Sequence, residues 1–215
     1  MTFETMLQTM SQGMLKTGGI FALTLVFSLP LGIGVALLRR SRIKIISLIT
    51  QLYISIMRGT PLMLQLLAWY FGPYYLFGAS VSGWRFPALI LGFSLNYAAY
   101  FAEIFRGGID SMPIGQYEAA EVLGYSKAQT FFKIILPQVI KRIMPSVTNE
   151  VITLVKDTSL AFTLAYQEVF SLAKQISASQ TSFMPFVIAG VFYYIANAIV
   201  DFVMRRVEKS LDYYR

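Results

Sequence analysis

Residues 118–137, EAAEVLGYSKAQTFFKIILP, form a short polar stretch between long apolar segments of the chain. Pro113 lies just ahead of it and suits the first turn of a helix, because the missing N–H of proline has no helical partner there. Residues 114–123 then predict a helix, and Gly124 is typical of the left-handed residue that ends one. The first half of the stretch is therefore expected to be a short helix that stops at Gly124.

A second helix is predicted directly after this stop. Ser126 can cap it, and Gln129 three residues later completes a capping box. The helix is expected to continue until Pro137 interferes with it. Ala119 and Ala120 are predicted on the surface of the first helix, where small side chains let a partner approach closely. Nothing in the stretch resembles a catalytic motif, so we interpret it as a docking element.

The spacing of these residues resembles the EAA loop of ABC-importer permeases. The resemblance is carried by Glu118-Ala119-Ala120, Gly124, Ile134 and Leu136-Pro137. In that family the loop forms a coupling helix, which sits in a groove on a cytoplasmic ATPase subunit. The residues that the resemblance assigns to ATPase coupling are Glu118, Ala119, Ala120, Gly124 and Pro137. The alternative is an amphipathic loop helix that only closes a cytoplasmic turn.

The composition is typical of a membrane protein. Hydrophobic residues make up 56% of the 215 residues and charged residues 13%, whereas about a quarter of a soluble domain is charged. The chain has no Cys and no His, which excludes thiol nucleophiles, Ser-His-Asp triads and zinc sites built from those residues. We predict no metal site and no nucleic-acid binding, because the basic residues do not form one face.

The apolar segments predict one all-α polytopic membrane domain over residues 1–215, since each span needs about 20 apolar residues. The five predicted spans are residues 18–38, 45–77, 86–105, 143–164 and 183–204. Residues 107–142 are predicted to be the cytoplasmic coupling loop, and residues 71–85 and 165–182 to lie outside. Residues 1–16 lack the pattern of a secretory signal and predict a separate amphipathic helix on the membrane surface.

The second apolar segment, residues 45–77, is too long for one ordinary span, because it would reach about 50 Å as a helix. The tetrapeptide Arg58-Gly59-Thr60-Pro61 interrupts it. Pro61 disfavours helical geometry at the preceding residue. A helix that is broken near residues 58–61, at membrane depth, is therefore expected.

The distribution of basic residues predicts the orientation in the membrane. Three of them, Lys16, Arg85 and Lys174, fall on one side of the five-span layout. Those on the other side are Arg39, Arg40, Arg42, Lys44, Arg106, Lys127, Lys133, Lys141, Arg142, Arg205, Arg206, Lys209 and Arg215. Cytoplasmic loops carry the excess of Lys and Arg, so the N-terminus is predicted outside and the coupling loop and C-terminus inside.

Ionisable side chains within the predicted spans are costly and commonly functional. Glu150 and Asp157 are seven residues apart, about two helical turns, and so share a face. Either can take the ammonium group of an amino acid, while Arg58 or the N–H groups of the broken helix can take its carboxylate. The alternative to substrate binding is a structural role. The charged residues then pair among themselves or across a subunit interface, as Arg58, Glu150, Lys156 and Asp157 could. Asn96 then only bridges helices.

Two further tracts resemble the polar amino acid uptake branch of these permeases. They are Arg58-Gly59-Thr60-Pro61-Leu62, and Asn149-Glu150 followed by LVKDTSL at residues 154–160. The resemblance covers nearly the whole chain and implies the type I importer fold, with substrate bound between spans two, three and four. The predicted substrate-binding residues are Arg58, Thr60, Asn96, Glu150, Asp157 and Thr158.

The resemblance implies a non-catalytic permease subunit in a bacterial inner membrane, which imports polar amino acids by alternating access. It implies a second permease subunit, two ATP-binding cassette subunits and an extracytoplasmic solute-binding protein as partners. No cofactor is expected in this chain, because it lacks a G-x-x-x-x-G-K-[ST] loop; ATP and Mg²⁺ belong to the ATPase.

Three alternatives remain open at this point. The permease can serve another small polar solute. An ATPase-independent channel or carrier would explain the charges within the spans but not the EAA spacing. An intramembrane enzyme would use Glu150 and Asp157 as paired carboxylates, but the sequence offers no nucleophile next to a base.

Overall fold

The computed structural model describes residues 2–211, so Met1 and residues 212–215, with the Arg215 counted above, lie outside the described residues. The described chain is helical and contains no strand, which confirms the predicted all-α class. The helices are α1 Phe3–Arg39, α2 Lys44–Gly59, α3 Leu62–Phe77, α4 Arg85–Asp110, α5 Ile114–Val122, α6 Lys127–Gln129, a π-helical segment Thr130–Ile135, α7 Leu136–Asp157, a 3₁₀ segment Thr158–Leu164, α8 Val169–Gln180 and α9 Met184–Ser210.

Among the described residues, α1, α4 and α9 are long and apolar enough to cross a membrane by length and composition. The other two predicted spans correspond to the pair α2 and α3, of 16 residues each, and to α7 with its 3₁₀ extension. The number of spans in the bilayer and their orientation therefore stay predictions.

The prediction of a separate surface helix over residues 1–16 is wrong, because α1 continues through them without a break. Its 37 residues reach roughly 55 Å at about 1.5 Å per residue. The first half packs against α8, where a Cβ built on Gly13 would lie 3.0 Å from the Val169 Cα. This packing outweighs the cost of about 1 kcal/mol for each glycine in a helix, so Gly18 and Gly19 do not end α1.

The centre of the described fold is α4, which contacts α1, α2, α3 and α7. Its side chains Phe93, Tyr97 and Phe101 are buried and belong to the largest apolar cluster. The backbones of α1 and α4 approach closely at Gly32, where a Cβ would lie 2.8 Å from the Phe101 Cβ. This position of α4 brings its middle residues next to both the broken helix pair and α7.

The predicted break in the second apolar segment is confirmed. α2 ends at Gly59, Thr60 is extended with φ −121° and ψ 149°, and α3 begins at Leu62 after Pro61. The cause is local, because the proline ring excludes helical geometry at the residue before it. α3 then continues to Phe77, so the first part of the predicted outer loop at residues 71–85 is helical.

The predicted stop at Gly124 is confirmed, since this glycine has φ 77°. The Gly124 N–H donates to Glu121 O at 2.9 Å and the Tyr125 N–H donates to Ala120 O at 3.0 Å, which is the Schellman arrangement of a helix end. Ala119 is exposed as predicted. The surface position predicted for Ala120 is wrong, because this residue is 1% exposed and packs under the turn.

The predicted capping box of the second helix is also confirmed: the Ser126 side chain accepts from the Gln129 N–H, and the Gln129 side chain accepts from the Ser126 N–H. The prediction that Pro137 ends this helix is wrong. A π-helical segment precedes the proline, so that the Leu136 N–H donates to Phe131 O five residues back. This wider turn lets the helical run pass Pro137 and continue into α7, which ends at Asp157.

Residues 165–182, predicted only as a polar outer segment, contain α8. Glu168 precedes this helix and is fully buried; its carboxylate accepts from the Phe170 and Ser171 N–H groups, each at 2.7 Å. It also accepts from the Tyr193 hydroxyl at 3.0 Å. Burial raises the pKa of the Glu168 carboxyl, and these hydrogen bonds oppose that rise. The carboxylate thus caps α8 and joins it to α9.

Candidate functional site

A cavity of about 310 Å³ lies beside the break between α2 and α3. Its other walls come from the middle of α4 and from the second half of α7. The lining residues are Thr60, Pro61, Leu62, Asn96, Tyr97, Tyr100, Glu150, Thr153 and Asp157. The volume is at the lower end of the range of small-molecule pockets, so the cavity suits a solute of amino acid size.

Two carboxylates on α7 line the cavity, and the prediction that Glu150 and Asp157 share a face is confirmed. Both side chains are partly exposed. The Tyr97 hydroxyl donates to Asp157 Oδ2 at 2.7 Å. Within residues 2–211, Glu150 makes no hydrogen bond or salt bridge. The α7 wall therefore presents two carboxyl groups to the cavity, and no Lys or Arg of the described residues lines it with them.

The break itself is held by two amide side chains, Asn96 and Gln65. Asn96 Nδ2 donates to Met57 O and to Gln65 Oε1, both at 2.9 Å. Gln65 Nε2 donates to Met57 O at 2.9 Å, to Thr60 O at 3.1 Å and to Thr60 Oγ1 at 2.8 Å. These bonds occupy carbonyl groups at the end of α2 that have no helical partner. Asn96 thus bridges helices in addition to lining the cavity.

Two predicted substrate-binding residues do not line the cavity. Arg58 lies next to it, with its Nη1 3.8 Å from Glu103 Oε2 and its Cζ 5.3 Å from the centroid of the Tyr100 ring. Thr158 is fully buried, and its hydroxyl donates to Val155 O at 2.6 Å. Arg58 is drawn towards Glu103 by opposite charge, whereas the 3₁₀ turn directs Thr158 into the protein.

Sequence reasoning did not identify Gln65, Tyr100 and Thr153 as parts of the site. Thr153 follows Glu150 by three residues, and helical spacing alone could have placed it on the same face. Tyr97 and Tyr100 also line the cavity, although aromatic residues in an apolar span are more often packing residues. Gln65 carried a weaker signal, as a polar residue in an apolar segment just after the predicted break.

The cavity also borders the N-terminus of α3. Leu62 is the first residue of α3 and lines the cavity. The first N–H groups of a helix have no partner within it and carry the positive end of its dipole, which favours anions. The site therefore combines two acidic side chains with a helix end that can accept a carboxylate.

A second candidate surface is the elbow made by α5, Gly124 and the start of α6. Val122 is 88% exposed and Leu123 72% exposed on it, beside the exposed residues Glu118 and Ala119. Adjacent apolar side chains at the tip of a polar loop suit contact with another protein. Of the predicted coupling residues, Ala120 is buried and Pro137 is half-buried.

The comparison with protein families matches residues 28–213 to the family described as "Binding-protein-dependent transport system inner membrane component". Among curated proteins, the putative glutamine transport system permease protein of Rickettsia bellii is 36% identical over 201 residues, which cover 93% of this chain and 91% of that protein. The arginine transport system permease protein of Bacillus subtilis has the same identity and coverage. The L-cystine transport system permease protein of Bacillus subtilis is 35% identical, covering 95% of this chain and 87% of that protein.

Solved structures agree with this match. The structure described as an amino acid ABC transporter with histidines aligns with a TM-score of 0.87 and 29% identity, over 98% of this chain and 99% of that chain. An inward-facing structure of the methionine ABC transporter MetNI aligns with a TM-score of 0.74 and 17% identity over the same shares, and shows the fold alone. The chain therefore belongs to the family of binding-protein-dependent transport system inner membrane components, the permease subunits of ABC importers.

Proposed function

We propose that this permease imports polar amino acids and that its cavity takes a cationic one, such as arginine or lysine. One observation favours a cationic amino acid over other polar amino acids. Glu150 and Asp157 line the cavity, and among the described residues no Lys or Arg does. An amino acid with one ammonium group would leave one of these acids unpaired. A ligand with two cationic groups pairs both, and the α3 N-terminus accepts its carboxylate.

The relatives support the broader half of this proposal. Their names cover glutamine, arginine and L-cystine transport, so the solute differs among them while an amino acid is common to all. The residues that we assign to substrate contact are Thr60, Asn96, Glu150 and Asp157, with Tyr97 and Tyr100 as additions. Arg58 and Thr158 are left out because neither residue lines the cavity.

The elbow gives this subunit its proposed connection to ATP hydrolysis. The chain is a transport component without catalytic activity of its own. In the proposed assembly a second permease subunit completes the membrane part, two ATPase subunits bind ATP and Mg²⁺ and dock at the elbow, and an extracytoplasmic binding protein delivers the solute. The exposed Val122 and Leu123 would enter the ATPase groove.

The substrate proposal is tested with L-arginine and L-citrulline, which have the same shape but differ by one charge. Binding is measured by calorimetry on purified permease–ATPase complex. We expect wild type to bind arginine more tightly, and Glu150→Gln and Asp157→Asn each to weaken arginine binding about tenfold or more, because a hydrogen bond to a charged group contributes roughly 1.5–3 kcal/mol.

Glu208→Gln, an exposed carboxylate on α9, is the control and should bind arginine as wild type does. Equal binding of arginine and citrulline by wild type would contradict the cationic substrate. Uptake that proceeds at the normal rate in vesicles without ATPase would instead indicate a channel or carrier.

A further inference from the structure

Glu103 follows the lining residue Tyr100 by about one helical turn on α4 and does not line the cavity itself. Its Oε2 is 3.8 Å from Arg58 Nη1. We propose that Glu103 determines the charge selectivity of the cavity by holding the Arg58 guanidinium away from the two acidic lining residues. This inference rests on the proposed function, because it concerns how the cavity stays negative enough for a cationic amino acid.

Arg58 lies between two sets of acids. Its guanidinium stacks against Tyr100 at 5.3 Å, and Tyr100 itself lines the cavity. The Arg58 charge also acts on Glu150, which has no salt bridge within residues 2–211. The side chain is 45% exposed, so it has room to change its rotamer. Without Glu103, the unpaired acid in the cavity is the next partner for this guanidinium.

Glu103 is itself fixed in place by a chain of ion pairs. Arg106 Nη2 and Nε donate to its two carboxylate oxygens at 2.7 and 3.1 Å. Arg106 Nη1 also pairs with Asp110 at 2.9 Å, and Asp110 pairs with Arg40 at the end of α1. A bidentate pair of this kind restricts the carboxylate geometrically. Glu103 therefore offers Arg58 a fixed partner, which a mobile surface acid would not.

Loss of Glu103 is expected to weaken or remove the preference of the cavity for cationic arginine over uncharged citrulline. The freed guanidinium would pair with Glu150 and compete with the cationic side chain of the ligand. Lys156 neighbours Asp157 and its charge acts on that acid, but it is exposed and unchanged in every variant below. A purely structural role of Glu103 would weaken arginine and citrulline binding alike.

The experiment compares the arginine-to-citrulline affinity ratio across variants of the assembled permease–ATPase complex. Glu103→Gln should lower the ratio about tenfold, mainly by weaker arginine binding. The double variant Glu103→Gln with Arg58→Gln should regain the wild-type ratio, because no guanidinium remains to compete. Glu208→Gln, an exposed carboxylate on α9 outside this chain of ion pairs, is the control and should keep the wild-type ratio.

An unchanged ratio in Glu103→Gln overturns the inference, and so does a lowered ratio that the double variant fails to restore. If Glu103→Gln does not assemble, two double variants decide: Glu103→Gln with Arg58→Lys, which keeps a cation, should show a lower ratio than Glu103→Gln with Arg58→Gln, and equal ratios overturn the inference. The proposed function fails separately, when wild type itself shows no preference for arginine.

Discussion

Gly108 lies where α4 packs closely against α7, in the cytoplasmic half of the predicted layout. A Cβ on Gly108 would collide with Ile143 Cγ2 and lie 3.1 Å from Val139 Cγ1, whereas a Cβ on the adjacent Gly107 meets nothing within 4 Å. We expect Gly108→Ala to destabilise the protein by about 1–3 kcal/mol through overpacking. Gly107→Ala should be neutral or slightly stabilising, because alanine favours helix more than glycine does.

The two glycine variants form a matched pair for a thermal unfolding measurement on purified protein in detergent. The midpoint should fall for Gly108→Ala and stay within error of wild type for Gly107→Ala. Equal midpoints would show that α7 can move away from α4 at no cost. That result would contradict the close packing that places Glu150 and Asp157 beside α4.

At the same scale, Asn96 shows what a sequence can and cannot reveal about one residue. A polar side chain in the middle of an apolar segment identified it as a candidate, and it does line the cavity. Its partners are Met57 and Gln65, 39 and 31 residues away. No spacing rule connects residues so far apart, so the support that Asn96 gives to the helix break became evident only from the fold.

Among the elements, the elbow offers the clearest test of coupling. Gly124 has φ 77°, and Gly115 on the preceding helix has an ordinary backbone with nothing within 4 Å of an added Cβ. A Cβ at the left-handed position costs about 1 kcal/mol or more. We expect Gly124→Ala to lower amino-acid-stimulated ATPase activity by severalfold and Gly115→Ala to leave it unchanged, with equal amounts of assembled complex.

Glu118→Lys extends this test to the contact itself, since Glu118 is exposed on α5. Reversal of its charge should release ATPase subunits during purification while the permease still binds its solute. Normal transport and normal ATPase activity in both Gly124→Ala and Glu118→Lys would show that the elbow does not couple the two subunits.

The elements that local chemistry controls were predicted well, and those that tertiary packing controls were not. Proline, glycine and serine identified the break at Thr60, the stop at Gly124 and the capping box at Ser126, because each acts on its immediate neighbours. α1 was divided wrongly near Gly18, since packing on α8 keeps it helical. The continuation past Pro137 was also missed, because a π-helical turn leaves no distinctive sequence pattern.

For the whole molecule, the orientation in the membrane is the main untested prediction. The chain lacks cysteine, so single cysteines can be introduced without a background signal. Ala178 on α8 and Gln116 on α5 are both exposed. We expect a cysteine at Ala178 to react with an impermeant thiol reagent from outside intact cells, and one at Gln116 to react only after the membrane is opened. The opposite pattern would contradict the N-outside, five-span layout.

The continuous helical run from α6 through the π-helical segment to the end of α7 has a thermodynamic consequence for the whole transporter. Residues 127–157 span roughly 45 Å at about 1.5 Å per residue, and they join the elbow directly to Glu150 and Asp157. In the proposed mechanism, the solute therefore contacts one end of this helical run, and the ATPase that binds nucleotide contacts the other end. Linkage requires reciprocity: the factor by which ATP on the partner changes the affinity for amino acid equals the factor by which amino acid changes the affinity for ATP.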